Sequence, residues 1–539
     1  MARDEGAVVR TTAGAVRSGP PRRGVRSFRG IPYAAPPVGE HRLRAPAPVV
    51  PWCGVREADR PSPVAPQDPR SGYGWAHDAG DDHLTLDVHV PADDAGGAGG
   101  AGGAGRPVLV WLHGGGWISG SGSAPAYFPA AWVARGLVVV SPNYRLGFEG
   151  FGSVEGCPEN RGLLDQLAAL RWVAQNVEAF GGDPRRVTVA GESAGAASVA
   201  ALLCAPAARG LFSRAVTASI TAEMVTVEHA RRTAQRVAAA ARVPATRAGL
   251  AGLPPVRLLA ASETVARDLL DAAATSGDPR DAVPLLYHPV VDGELVTGPF
   301  TTGPGAGGDP AVPLLVNHQA DEWTLFSRSG FAPLARTRGD VEAFAAAVGL
   351  GPGAVQRYRE LMPGAGPGAV GDALLGDALF VQPTRRFARA HAARGGTAFL
   401  SRFTWRSPAL GGRFGATHAL DLPFWFGNPV AMEQFLHAVP VLPLARRVPL
   451  LGPRVPGVWP TPASAALSRR MVDALTAFAH GGDPGWPAVG PDGAPVRVWG
   501  STDSLDTAPD PRDELWDAVE PRPRGAAPAA PGRTGGAPA

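Results

Sequence analysis

The chain has 539 residues, 45% hydrophobic and 18% charged, with 51 basic against 48 acidic side chains and a formal charge of +3. That balance suits a large buried-core enzyme rather than a disordered chain. The pI of about 9.0 comes with no lysine and no dense arginine stripe, so a nucleic-acid partner is not expected.

In chain order, the opening segment MARDEGAVVRTTAGAVRSG has no apolar run after its first arginine, and no secretory signal is expected. The first strand signal is the alternating LTLDVHV from Leu84 to Val90. The continuous apolar run VLVWL, Val108 to Leu112, is the second. Between them AGGAGGAGGAG, residues 95–105, cannot bury a core and reads as a flexible loop. The two strands are expected to form a hairpin with an overgrown turn, or to lie side by side. Further strands are predicted at Gly136 to Val140 (GLVVV) and Val187 to Ala190 (VTVA). Between these, Leu163, Leu167, Leu170, Val173 and Val177 recur at helical spacing, and Gly181-Gly182-Asp183-Pro184 stops that helix. Strand, helix, strand, helix in this order predicts a parallel sheet with crossover helices.

The stretch from Val225 to Arg280 is alanine-rich and helical in pattern, and later helices are predicted at Val341 to Val348 and Leu467 to His480. From residue 520 the composition turns to Pro, Gly and Ala, and disorder is expected. One catalytic domain over 1–519 with a soft tail over 520–539 is the economical division. No run of 18 uncharged apolar residues occurs, so no membrane span is expected. The cysteines, Cys53, Cys157 and Cys204, are sparse and odd in number. They argue against a zinc site or a disulfide framework and favour a reducing, cytoplasmic address. No metal and no organic cofactor is expected.

The first pattern that carries chemistry is Gly191-Glu192-Ser193-Ala194-Gly195, a G-x-S-x-G sequence. With 23 serines and 70 glycines in the chain, chance alone supplies roughly 0.4 matches. Context raises its weight: a strand signal runs into it and an alanine-rich helix signal follows, as a sharp turn presenting a serine hydroxyl requires. The second pattern is His113-Gly114-Gly115-Gly116, directly after VLVWL. Acyl transfer builds charge on the former carbonyl oxygen, and preorganised amides stabilise it. The N–H groups of Gly115, Gly116 and Ala194 are the expected donors.

A serine hydroxyl also needs a base, and the base an acid to hold its tautomer. Acidic residues after Ser193 are too common to choose among. On chain order alone His391, His418, His437 and His480 all qualify.

Several blocks taken in order resemble the type-B carboxylesterase family. They are Phe28-Arg29-Gly30-Ile31-Pro32-Tyr33-Ala34-Ala35-Pro36-Pro37-Val38-Gly39, then Asn143-Tyr144-Arg145-Leu146-Gly147, then Asn160-Arg161-Gly162-Leu163-Leu164-Asp165-Gln166. Phe180-Gly181-Gly182-Asp183-Pro184 precedes the serine, and Pro289-Val290-Val291-Asp292-Gly293 follows it. The resemblance covers nearly the whole chain. It implies an α/β-hydrolase fold, with a large, mostly parallel central sheet flanked by helices, and hydrolysis of small-molecule esters with short to medium acyl chains through an acyl-enzyme on Ser193.

The resemblance also chooses the partners. Asp321-Glu322-Trp323-Thr324-Leu325-Phe326 looks like the segment that supplies the acid, which maps to Glu322 with Asp321 as its solvated neighbour. Gly415-Ala416-Thr417-His418, running into Asp421-Leu422-Pro423-Phe424, looks like the histidine block, which maps to His418. Glu192, which precedes the serine, is a candidate to influence the histidinium by its charge, and Ser219 resembles the family's buried serine near the triad. The implied base would gain activity as His418 loses its proton near the ordinary value of about 6.5.

The chain departs from the family pattern at several points. His83 stands where a disulfide cysteine would fall, which leaves Cys53 without a mate. Ile220 replaces a glycine after Ser219, and its bulk is expected to narrow the acyl side of the pocket. Asn317 replaces a glycine before the acid, and Leu475 a tryptophan in the C-terminal helix. Trp75 is a possible wall for a quaternary ammonium, but recognition of choline esters needs a cage of several aromatic rings.

Overall fold

Ten strands build the central sheet of the computed structural model. The structure describes residues 6–68, 79–93, 105–221, 224–276, 285–302, 305–329, 335, 337–428, 461–490, 493–519 and 523–525. In chain order the strands are β1 (Val25–Pro32), β2 (Thr85–Pro91), β3 (Arg106–Leu112), β4 (Val138–Pro142) and β5 (Gly182–Glu192). They continue as β6 (Arg214–Ala218), β7 (Leu314–Gln319), β8 (Ala398–Phe403), β9 (Val496–Trp499) and β10 (Ser504–Asp506).

Across the sheet the order is β10-β9-β8-β7-β6-β5-β3-β4-β2-β1. Every pairing from β4 through β3, β5, β6, β7, β8 to β9 is parallel. The pairings of β1 with β2, β2 with β4, and β9 with β10 are antiparallel. The sheet is therefore mostly parallel with antiparallel margins and flanking helices, which is the α/β-hydrolase architecture. A separate small sheet joins Val8–Arg10, Ala15–Ser18 and Val55–Ala58.

The apolar runs become inner strands because parallel strands are covered on both faces. Strand periodicity divides each run between two cores. Val108, Val110 and Leu112 join one cluster with Val138, Val140, Val187, Val189, Leu314 and Val316. Leu109, Trp111, Val139, Ala190 and Leu315 face the other, beneath Leu467, Met471 and Phe478 of the helix Pro462–Ala479. Leu475, in place of a tryptophan, belongs to that second cluster. The helix Arg161–Asn176 buries Leu163, Leu167, Leu170 and Val173 in the first, matching the predicted spacing. Gly181, at φ +82°, ends the short turn that follows it.

One expectation is corrected. LTLDVHV and VLVWL are neither a hairpin nor neighbours, because β4 lies between β2 and β3. The long connection lets the chain skip one position, and β4 then fills the gap by pairing with both.

The blocks that carried the family resemblance meet in space. Arg145 donates from Nε and Nη2 to Asp165 at 2.8 and 2.6 Å, with both side chains buried. Asn160 donates to Val290 O and Asp292 Oδ2 at 2.8 and 2.7 Å, and Tyr33 donates from its hydroxyl to Asn143 O at 2.6 Å. Within segment 520–539, Arg524 bridges to Val225. The rest of that segment, apart from residues 523–525, lies outside the described residues, as do loop residues 95–104, Trp75 and His437. Among the described residues no helix is long and apolar enough to cross a membrane, and no His/Cys/Asp/Glu group could hold a metal ion.

Candidate active site

β5 runs straight into Ser193, and the helix Ala194–Cys204 begins at the next residue. Ser193 sits at φ +56°, ψ −123°, a strained conformation for an L residue. Its N–H donates to Ala218 O at 2.9 Å, which pins the turn to β6. Glycine at 195 is a packing requirement, since a Cβ there would lie 2.1 Å from Leu112 O at the end of β3. The helix can begin beside β3 only because that atom is missing.

β3 delivers the glycine loop to the same place. Gly115 has φ +107°, and a Cβ on it would meet Ser119 O at 2.2 Å. The N–H groups of Ile118 and Ser119 both close on Gly115 O at 3.1 Å, folding the loop into a tight hook. Among the described residues, the N–H groups of Gly115, Gly116 and Ala194 donate to no protein acceptor. These amides line a cavity of ≈ 360 Å³ together with Ser193 and His418. Preorganised donors of this kind suit a developing oxyanion.

Glu322 lies in the turn after β7 and is 1% exposed. Its Oε1 accepts from Ser219 Oγ and from the Gln319 N–H, each at 2.7 Å. Its Oε2 lies 2.6 Å from His418 Nδ1. Hydrogen bonds between their two loops hold Glu322 and the imidazole together. Ala416 N donates to Asp321 Oδ2 at 2.8 Å, and Thr324 Oγ1 is 2.8 Å from Thr417 Oγ1. Asp321 also receives Arg406 at 2.9 Å, so it anchors the histidine loop rather than serving as a merely solvated neighbour.

The imidazole of His418 is flanked by Phe380 and Phe326, with ring centroids 4.4 and 5.3 Å away. Its Nε2 lies 3.2 Å from Glu192 Oε1, without hydrogen-bond alignment. Burial opposes charge on His418, but the carboxylates of Glu192 and Glu322 outweigh it, and its pKa is raised above the ordinary 6.5. That moves the expected activity rise to higher pH than the ordinary value. Burial pushes the Glu192 carboxyl up to about 8, against the pull of His418. Burial likewise raises Asp421 to about 6.

The structure separates the histidines that chain order left open. His391 is buried with Nδ1 2.6 Å from Gly307 O, and His480 has Nε2 2.9 Å from Arg135 O. Neither lines the cavity. Ile220 does not narrow it either. Its side chain packs in the first core cluster and its N–H donates to Thr384 Oγ1 at 2.9 Å, while Thr221 reaches the cavity instead. Asn317 uses the side chain that a glycine would lack, donating to Asp421 Oδ2 at 2.8 Å and accepting from Ser401 Oγ at 2.9 Å.

Phe326, Phe380, Gln319 and Asp421 surround the site without having been singled out in the sequence. Phe326 carried a signal, since it stands one helical turn after Glu322. Phe380 carried none, because nothing local ties its helix to the histidine loop.

A family model described as "Carboxylesterase family" matches residues 5–346. A para-nitrobenzyl esterase of Bacillus subtilis (strain 168) is 33% identical over 445 residues, covering 80% of this chain and 85% of the relative. A phenmedipham hydrolase of Pseudarthrobacter oxydans is 47% identical over 216 residues, covering 39% of this chain and 42% of the relative. The crystal structure of a Geobacillus stearothermophilus carboxylesterase superposes with a TM-score of 0.75 at 31% identity, covering 95% of this chain and all of that one. With its sheet order and serine turn, the chain belongs to the carboxylesterase family, as a serine-type α/β-hydrolase of carboxylic esters.

Proposed function

We propose that Ser193, Glu322 and His418 are the catalytic triad, and that the amides of Gly115, Gly116 and Ala194 form the oxyanion hole. The observation that carries this reading is the 2.6 Å contact of His418 Nδ1 with Glu322, on an imidazole that shares one cavity with Ser193. With Nδ1–H donating to Glu322, Nε2 is left as the base. It takes the proton as Ser193 Oγ attacks the ester carbonyl, and the three amides receive the oxyanion. His418 then protonates the leaving alcohol, and water enters by the reverse sequence to release the acid. The modest, mainly apolar cavity supports esters with short to medium acyl chains, and the para-nitrobenzyl esterase relative supports p-nitrobenzyl esters as first substrates.

The test is a panel of p-nitrophenyl esters of increasing acyl length, run with Ser193→Ala and with a fluorophosphonate probe. Turnover should fall to background in the variant, with no labelling. Full turnover by Ser193→Ala would remove the assignment.

A further inference from the structure

One interrupted helix passes over both the acid and the imidazole. It runs as Pro367–Gly376, a π turn over Asp377–Val381, and Gln382–Ala393. Its backbone reaches the acid at Gly376, where a Cβ would lie 3.4 Å from Glu322 Cβ. Phe380, within the π turn, packs on the His418 ring at 4.4 Å and stacks against Phe326 at 5.8 Å. One turn later Thr384 accepts from the N–H of Ile220, the residue after Ser219. Positions 376, 380 and 384 would drift around a straight α-helix, and the wider π turn offsets that drift. Such turns cost helical hydrogen-bond geometry and persist where something holds them.

What holds this one comes from the end of the chain. The buried carboxylate of Asp377, first residue of the π turn, accepts from Arg512 Nη1 at 3.1 and 3.2 Å and from Tyr358 OH at 2.5 Å. Trp516 donates from Nε1 to the same Tyr358 oxygen at 2.7 Å. Beyond the π turn, Asp513 receives Arg385 at 3.1 and 2.6 Å, Gln382 at 3.2 Å, and Arg389. The segment from Asp510 to Asp517 therefore grips the helix on both sides of Phe380. These ion pairs touch neither the cavity nor the serine turn.

We infer that Arg512 and Asp377 are positioning residues for the esterase reaction: this C-terminal clasp holds the π turn so that Phe380 packs the His418 imidazole in line with Glu322. The inference rests on His418 as the base. Releasing the clasp frees the ring to tilt, which weakens proton transfer while leaving Leu258, Leu259 and Leu285, which line the cavity away from the clasp, in place.

The test uses the full chain. Removing one member of a buried pair strands a charge, whereas replacing both by apolar groups is often tolerated. The principal double variant is therefore Asp377→Leu/Arg512→Met, made in an Asp510→Asn background because Arg512 also holds Asp510 at 3.0 and 2.8 Å. Expected is a folded enzyme whose kcat for p-nitrophenyl butyrate falls about tenfold with KM within twofold. The far-downfield proton resonance of the His418–Glu322 hydrogen bond should broaden as water gains access. Phe380→Leu, which leaves the clasp intact, should reproduce the kcat loss. Arg470→Gln, which breaks a comparable pair with Asp503 away from the site, should lower thermal stability only. Wild-type kcat in the folded double variant, or in Phe380→Leu, overturns the inference. If the double variant does not fold, Phe380→Leu decides alone. Full activity in His418→Gln would instead remove the triad reading on which it stands.

Discussion

His418 Nδ1 stands 2.6 Å from Glu322 Oε2, and the other oxygen of that carboxylate is already filled by Ser219 Oγ and the Gln319 amide. The acid therefore has one oxygen committed to the backbone frame and one to the imidazole. Glu322→Gln presents an amide that can donate to Nδ1 and so favours the wrong tautomer, and kcat should fall by roughly 10⁴-fold. Stopped assays on p-nitrophenyl butyrate check this, and a loss under tenfold would mean that another carboxylate orients the ring.

Ser219→Ala removes a hydrogen bond to a buried carboxylate but leaves the Gln319 donor. A charged hydrogen bond of this kind contributes about 1.5–3 kcal/mol. The urea midpoint should drop accordingly, with a fall of about tenfold in kcat/KM. An unchanged kcat/KM at lowered stability would confine Ser219 to a structural role.

The carboxylates beside His418 bear on the pH dependence expected of the proposed triad. With the neutral His418 imidazole as the proposed base and its pKa raised by the neighbouring carboxylates, kcat/KM should climb through a midpoint above the ordinary 6.5. Burial pushes the Glu192 carboxyl itself up to about 8, so it is charged only over the upper part of that limb, and Glu192→Gln should move the limb modestly to lower pH. A pH–rate profile whose limb moves upward, or not at all, would contradict the charge coupling.

Gly195→Ala tests the serine turn. The added Cβ would meet the main-chain oxygen of Leu112, held in β3, at 2.1 Å, so nothing flexible can yield. Overpacking of this kind costs about 1–3 kcal/mol, and the helix must also part from β3. Both the thermal midpoint and the rate of fluorophosphonate labelling should fall. Labelling at the normal rate would show that the turn tolerates the displacement.

Asp165→Ala strands the buried Arg145 guanidinium, whose main-chain N–H also donates to that carboxylate at 3.0 Å. Breaking a buried pair costs about 3–5 kcal/mol. Denaturant titration should register that loss. Activity should fall with it, since Leu146 and Gly147, next along the chain, line the cavity.

Much of the frame was legible in the sequence because its signals are local. VLVWL, VTVA and the leucine spacing from residue 163 declare their elements through periodicity alone, and glycines 191 and 195 declare a turn that only small residues permit. Sheet order was less legible. The hairpin expected around the glycine-rich loop failed because a long connection carries no record of which strand fills the gap it leaves. The placement of Ile220 was illegible for a similar reason. A side chain's neighbour in sequence can face the cavity while it faces the core, and only the end of β6 decides which.

By itself the chain's order of residues determined that a serine in a glycine-flanked turn follows a strand, that glycine amides follow another, and that several histidines qualified by order as a base. Which imidazole shares a cavity with Ser193 was decided by tertiary structure, because Glu322 and His418 come from separate loops drawn together by Asp321, Thr324 and their partners. So was the rise in the imidazole pKa, which depends on carboxylates brought close in a buried place. Composition cannot express either, since both are properties of distance and burial rather than of residue type.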